Sequence, residues 1–249
     1  MRIAVAGGTG TVGRHVVAIA RERGHHVVSL SRTDGVDLVT GDGLEQALQD
    51  VETVIDVTGI QVLSTKKAVD FFTSATRNLL GAGKRAGVTH HVVLSIVGID
   101  EADSGLYAGK LVQEREVKNG GIPWTLLRST QFHEFVPMTI NAASVGPLVF
   151  VPTMFTRPVA ANEVASALVD AAEAGPKGRI PDLGGPRTEQ LKDLAAAYLA
   201  KTQQKKRIVP LHLPGPMGKA MRGGGLVPAP GSAVGRQTFV EWLEALDAE

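Results

Sequence analysis

The chain has no cysteine among its 249 residues. That excludes disulfides, thiolate catalysis and cysteine-ligated metal, and it agrees with a reducing compartment. An excess of either charge is also missing: 26 basic residues stand against 25 acidic ones. Without a global basic field, nucleic acid is not an expected partner. No apolar run approaches the roughly 20 residues of a membrane span. Met1-Arg2 leads straight into a first strand, which leaves no room for a signal peptide, so a cytoplasmic protein with no membrane association is expected. The histidine pairs 25/26 and 90/91 lack the i, i+4 helical placement and the nearby carboxylate of a zinc site, and no metal is expected. Internal repeats and low-complexity tracts are absent as well. The length suits a single large α/β domain with a smaller appendage rather than two full domains.

What is present begins at once. The apolar run Ile3-Ala4-Val5-Ala6 is followed by Gly7-Gly8-Thr9-Gly10-Thr11-Val12-Gly13 and then by a helical segment running to Arg23. Strand, glycine turn and helix together make a nucleotide-binding corner. Glycine at 7, 10 and 13 permits a tight turn and a close approach of backbone to a pyrophosphate, which the positive end of the helix attracts. The cofactor contacts expected here are Gly7, Thr9, Gly10, Thr11, Val12 and Gly13. Val27 to Ser31 reads as the second strand, and Ser31-Arg32-Thr33 follows at its end. A hydroxyl next to a guanidinium suits a ribose 2′-phosphate, so NADP(H) is expected ahead of NAD(H), with Asp34 nearby keeping the latter open.

Val36-Asp37-Leu38-Val39 reads as a short third strand and Leu44 to Gln49 as a helix; Asp42 before it sits where related folds contact the adenine edge, or caps the helix, and the two roles can coexist. Thr53 to Gly59 is the fourth strand, with Thr58 and Gly59 lining the crevice where strand order reverses. Asp56 lies inside this apolar run and must find a partner or reach the crevice edge. Thr65 to Ala86 carries Ala68, Phe71, Phe72, Ala75, Leu79 and Leu80 at helical spacing. That face packs on the sheet, with a homodimer as the alternative. His90 to Ser95 is strand five, Leu106 to Lys118 a helix and Trp124 to Arg128 strand six. The alternation implies a doubly wound parallel sheet of Rossmann type.

Beyond Thr130 the rhythm breaks. Phe132 to Ala142 is helical with Pro137 as an interruption, Asn162 to Ala174 is a clear helix, and Gly178 to Gly184 adds a last strand. A helix follows with Thr188 as its cap, then a short strand at Arg207 to Val209. Pro210 to Ser232, crowded with proline and glycine, reads as a loop with one helical turn near Met217 to Met221 and serves as a lid. Arg236 to Leu246 closes the chain as an amphipathic helix. Residues of about 130–160 and 185–249 therefore form a smaller C-terminal substrate and lid region on one NAD(P)-binding domain spanning 1–249.

The segments GGTGTVG (7–13), SRT (31–33), GD (41–42), LSIVG (94–98), YAGKLVQEREV (107–117) and PWTLLRSTQFHEF (123–135) together resemble the atypical short-chain dehydrogenase/reductases of the NmrA-like type. The resemblance covers residues 1 to about 175. It implies a Rossmann fold that binds NAD(P), a small C-terminal part bounding a substrate cleft, and a role for Lys110 at the nicotinamide ribose. Catalytic branches of the superfamily carry a tyrosine four residues before this lysine, where the ammonium lowers the phenol's pKa for proton transfer. Here that position is Leu106, and Tyr107 lies three before. Candidates for the acid/base are therefore Tyr107 and His133, the latter titrating near neutrality. Ser95 polarises a substrate carbonyl or caps its turn. An NADPH-dependent oxidoreductase acting on a small carbonyl or quinone-like substrate is the leading expectation, and a non-catalytic NADP(H)-binding regulator is the alternative, favoured by Leu106.

Overall fold

The computed structural model describes residues 1–62, 64–101 and 104–246. Residues 247–249 of the expected C-terminal region lie outside the described residues.

The first half is built from short apolar runs alternating with helices. β1 (Arg2–Ala6) buries Ile3 to Ala6 completely. The glycine turn hands the chain to α1 (Gly13–Glu22), which packs Val16 and Ala20 inward. β2 (His26–Leu30) pairs in parallel with β1. The third strand expected at 36–39 does not form. Asp37 Oδ1 accepts from the amides of Val39 (2.7 Å) and Thr40 (3.2 Å), and this side-chain turn takes the hydrogen bonds a ladder needs. After α2 (Leu44–Ala47), β3 (Thr53–Asp56) joins the opposite side of β1. α3 (Thr65–Ala86) starts where Ser64 accepts from the Lys67 amide and ends at Gly87. β4 (His90–Ile96), α4 (Leu106–Asn119) and β5 (Trp124–Ser129) complete the half.

In the second half, α5 (Phe135–Ala142) holds Pro137 in its first turn. The amides there have no helical partner, so proline does not interrupt the helix. β6 (Ser144–Val145), β7 (Leu148–Pro152) and β8 (Phe155–Thr156) follow, then α6 (Ala161–Glu173), which packs on α1. β9 (Gly178–Arg179) and β10 (Leu183–Gly184) both pair with β5. β11 (Glu189–Gln190) pairs antiparallel with β8, which delays the next helix, α7 (Leu191–Lys201), so Gln190 and not Thr188 is its cap. β12 (Arg207–Leu211) pairs with β7, α8 (Gly215–Gly223) takes Pro216 in its first turn, and β13 (Ala233–Val234) edges the sheet beside β10. α9 (Phe239–Ala245) opens with a capping box between Thr238 and Glu241.

The main sheet runs β13-β10-β5-β4-β3-β1-β2 with β9 beside β5, and its pairings among the described residues are all parallel. Separate apolar cores cover its two faces, one under α1 and α6, the other under α2 and α3. Strand order reverses between β1 and β3, and ligands of such sheets bind at that point, beyond the carboxyl ends of the strands. A third core, with Val136, Val151, Leu194, Leu226 and Phe239, sits over the end of the sheet. Residues 210–232 contribute to it: Leu226 is wholly buried there and α8 is regular, so this segment is packed rather than an irregular loop. Among the described residues no helix is long and apolar enough to cross a membrane.

Candidate functional site

The glycine corner is closed as tightly as its sequence implies. Gly7 turns at φ +81°, and Gly10 donates its amide to the Gly7 carbonyl at 3.0 Å. A Cβ at Gly13 would stand 2.0 Å from that same oxygen, so any side chain there displaces the turn. Val12 leads into α1 without a side-chain capping bond. The first-turn amides of a helix lack intrahelical partners and carry the positive end of its dipole, which suits an anion. Thr9 and Gly10 are exposed, Thr11 is half-buried, and Val12 and Gly13 are buried beneath them. A Cβ at Gly7 would lie 3.0 Å from the Val57 carbonyl, so the turn abuts the segment after β3. These two loops are the lips of the switch point.

At the end of β2 the chain makes one 3-10 turn, Arg32–Asp34. The Ser31 hydroxyl is held by Asp34 (2.5 Å) and by Thr33 (2.7 Å). The Ser31 bond is the main cause of an Asp34 carboxyl below its ordinary range. Arg32 is exposed and, among the described residues, has no ion-pair partner. Asp42 is exposed, accepts from the Thr40 hydroxyl at 2.8 Å, and leaves the capping of α2 to Gly43.

Lys110 is 5 % exposed, and its ammonium is fully engaged. It donates to the Leu94 carbonyl (2.6 Å), to Gln113 Oε1 (2.6 Å) and to the Thr58 carbonyl (3.3 Å). The Gln113 amide in turn donates to Asp56 Oδ2 (2.8 Å) and to the Thr58 hydroxyl (3.1 Å). Asp56 Oδ1 accepts from both the amide and the hydroxyl of Thr58, at 3.0 and 2.7 Å. The carboxylate that looked out of place in an apolar run thus has its partners. Burial alone would push the Asp56 carboxyl up, but His91, Lys110 and Thr58 outweigh it and bring it to about 2. Burial lowers Lys110 to about 8, against the pull of Asp56 and Glu114. Sequence reasoning singled out Lys110 and Asp56 separately and gave Gln113 no role. The i, i+3 spacing of Lys110 and Gln113 was the available signal.

Of the three acid/base and polarising candidates, the structure separates one from the others. Tyr107 sits in the first turn of α4, and its hydroxyl oxygen lies 3.5 Å from the Gln131 amide nitrogen. Gln131 Oε1 accepts from the Thr156 hydroxyl at 2.7 Å, which directs the amide nitrogen toward the phenol. Burial pushes the Tyr107 phenol up to about 12. Ser95 is 1 % exposed, on the sheet face packed against α4 and near the Glu114 carboxyl. That enclosure takes it away from a carbonyl-polarising position. His133 is wholly buried against the stacked pair Phe239 and Trp242, 5.7 Å from each ring between centroids. Its Nε2 lies 3.3 Å from the Gln237 carbonyl, which can only accept, so that nitrogen carries the proton. Burial lowers the ring to about 4, and it stays neutral near pH 7. His133 is a packing residue and not the proton donor its side chain suggested. Glu134 next to it is raised by burial and has Arg14 of α1 at 3.9 Å.

A parallel sheet covered on both faces, with a glycine turn feeding an uncapped helix at its switch point, defines a dinucleotide-binding α/β protein of Rossmann type. A family model described as NAD(P)H-binding matches residues 7–174, and the chain belongs to this NAD(P)H-binding family. The assignment agrees with the resemblance to atypical short-chain dehydrogenase/reductases drawn from the motifs. Among curated proteins, the chain is 29 % identical over 144 residues to the (4-alkanoyl-5-oxo-2,5-dihydrofuran-3-yl)methyl phosphate reductase of Streptomyces griseus, covering 52 % of this chain and 48 % of that one. It is 34 % identical over 117 residues to the photosystem II assembly factor Ycf39 of Synechocystis, covering 39 % and 34 %. The chain spans about half or less of the length of the curated relatives it matches. Its fold is that of the NADPH-dependent quinone oxidoreductase QOR2 of Escherichia coli, solved with NADPH, at a TM-score of 0.75 and 21 % identity, over 98 % of this chain and 99 % of that one.

Proposed function

We propose that this protein is an oxidoreductase that uses NADPH in preference to NADH to reduce a small carbonyl or quinone-like substrate. The observation that carries the reading is the turn between Gly7 and Gly13, where a missing Cβ lets the backbone close under an uncapped helix end. These residues fit a dinucleotide: the amides of residues 11–13 would hold its diphosphate, and Thr58 and Gly59 would floor its nicotinamide half. The Arg32 guanidinium, exposed and without an ion-pair partner among the described residues, supports the 2′-phosphate, since such a fork of donors loses little on binding one. The bound cofactor supplies the hydride.

The chain's own task is to place the substrate oxygen and give it a proton or hydrogen bond. With the Gln131 amide donating toward the phenol oxygen, the Tyr107 proton is left for another acceptor. A phenol pushed up to about 12 stays protonated at neutral pH and acts as that donor. Tyr107→Phe is expected to lower kcat about 100-fold while leaving NADPH affinity within about twofold. A kcat unchanged in steady-state assays removes Tyr107 from the reaction. For cofactor choice, Arg32→Ala is expected to weaken NADPH binding by roughly 10- to 100-fold, the worth of one charge-assisted contact, with little loss for NADH. Equal losses for the two in fluorescence titrations refute a 2′-phosphate role.

A second reading, a nucleotide-binding regulator without turnover, is favoured by Leu106 in place of tyrosine and by the full engagement of Lys110. NADPH consumption against a panel of carbonyls and quinones divides the two. Oxidation of NADPH coupled to loss of one of these acceptors supports the enzyme, and saturable binding with no turnover on any of them supports the regulator.

A further inference from the structure

Thr58 is gripped at all of its polar atoms. Its amide and hydroxyl donate to Asp56, its hydroxyl also accepts from Gln113, and its carbonyl accepts from Lys110. Lys110 also holds the Leu94 carbonyl on β4. The lysine therefore braces the ends of two neighbouring strands against each other at the crevice. Its three N–H bonds meet three acceptors, and the Thr58 contact, at 3.3 Å, is the longest of them. We propose that Asp56 and Gln113 are positioning residues for the dinucleotide site. They keep the Lys110 ammonium charged and aimed between the ends of β3 and β4, and the Thr58–Gly59 floor loosens when Lys110 loses its proton.

The argument is a count of protons. A neutral amine has two N–H groups for the same three acceptors, and the longest contact is the one released. Thr58 then loses its hold on the α4 side, and the crevice loses a buried positive charge. The charged and titratable groups around Lys110 come from each element packed against it. Asp56 stands on β3, and His91 on β4 places its Nε2 3.7 Å from Asp56 Oδ2. Glu114 lies one turn along α4 itself, and α3 contributes the uncharged Phe72 ring, whose centroid is 5.0 Å from Nζ. Of these, Asp56 is the one tied to the ammonium through a hydrogen-bonded side chain. Asp56→Asn keeps the shape but removes the charge and turns an acceptor into a donor facing the Gln113 amide. Gln113 must then rotate and present its own NH2 to Lys110.

This proposal rests on the dinucleotide reading, so two readouts are used. The first needs no cofactor: NMR titration of the lysine side chains in the full chain, with Lys110 assigned from its missing signal in Lys110→Met. The Lys110 midpoint, about 8 in the native chain, is expected to fall by about one pH unit in Asp56→Asn. It falls in the same direction in Gln113→Leu and is restored in Asp56→Glu. The second is NADPH affinity, titrated from neutral pH up through the lysine range. It is expected to drop as Lys110 deprotonates, and to drop about one pH unit earlier in Asp56→Asn. If circular dichroism finds Asp56→Asn unfolded, Gln113→Leu carries both measurements. An unchanged Lys110 midpoint in the folded variants overturns the proposal, as does a shifted midpoint with an unshifted affinity profile. A native chain that binds neither NADPH nor NADH defeats the dinucleotide reading instead, and the lysine titration still decides whether Asp56 governs Lys110.

Discussion

Gly13→Ala is expected to bind NADPH about 100-fold more weakly than the native chain, equivalent to one or two lost charge-assisted hydrogen bonds. The added Cβ would lie 2.0 Å from the Gly7 carbonyl oxygen and 2.8 Å from both Gly7 C and Gly8 Cα. All three are backbone atoms, so no side-chain rotation relieves the clash, and the turn itself must move. The amides it presents move with it, and a site built from fixed donors has no second arrangement of them. Gly223→Ala is the control, since a Cβ there meets nothing within 4 Å. Affinities measured by fluorescence titration, with circular dichroism to establish that α1 is intact, decide the matter. A Gly13→Ala chain that is folded and binds within threefold of the native one contradicts the role of this turn.

The second large effect is on stability. Arg128 on β5 is 4 % exposed and pairs with Glu114 of α4, itself 3 % exposed, through Nε–Oε1 at 2.7 Å and Nη2–Oε2 at 2.9 Å. Asp100, on the 3-10 turn after β4, accepts from Nη1 and from Nη2. Burial would raise the Glu114 carboxyl, but Arg128 and Lys118 leave it below its ordinary range. Removing the guanidinium strands a buried carboxylate, and such losses cost about 3–5 kcal/mol. Arg128→Met is therefore expected to lower the melting temperature by roughly 6–20 °C, at about 2–4 °C per kcal/mol for a chain of this size. The double variant Arg128→Met/Glu114→Leu is expected to recover part of that loss, because replacing both partners by apolar groups leaves no unpaired charge. With carboxyls held low in the folded state, the cluster's contribution is in place at neutral pH. It is lost as the pH falls through the folded-state values of Glu114 and Asp100. A single variant melting within a few degrees of the native chain shows the pair to be dispensable.

The fold was readable wherever local signals decide it. Thr65 to Ala86 is a helix with the bounds its periodicity implies, because an apolar stripe and a glycine stop agree there. The supposed strand at 36–39 was misread because the Asp37 side chain competes for the backbone amides, a contest invisible to hydrophobic pattern. Thr188 failed as a cap because pairing of 189–190 with β8, a tertiary contact, sets where α7 begins. The irregular reading of 210–232 gave way because proline at a helix start favours the helix and Leu226 has a core to enter.

The site divides along the same line. The glycine corner is local, and its geometry follows from residue types at fixed spacing. The partners of Lys110 come from the segment after β3 and from β4 as well as from its own helix, and only the folded sheet brings Asp56 to Gln113, 57 residues apart in sequence. His133 shows the limit of reading a side chain by its ordinary pKa, since two aromatic neighbours and full burial lower it to about 4.

The measurement closest to the central claim is a titration of the purified chain with NADPH and NADH, followed by nicotinamide fluorescence and by the shift in melting temperature. Saturable 1:1 binding of NADPH, tighter than NADH and lost in Gly13→Ala, is the result expected. Absence of saturable binding by either nucleotide to the folded native chain would contradict it.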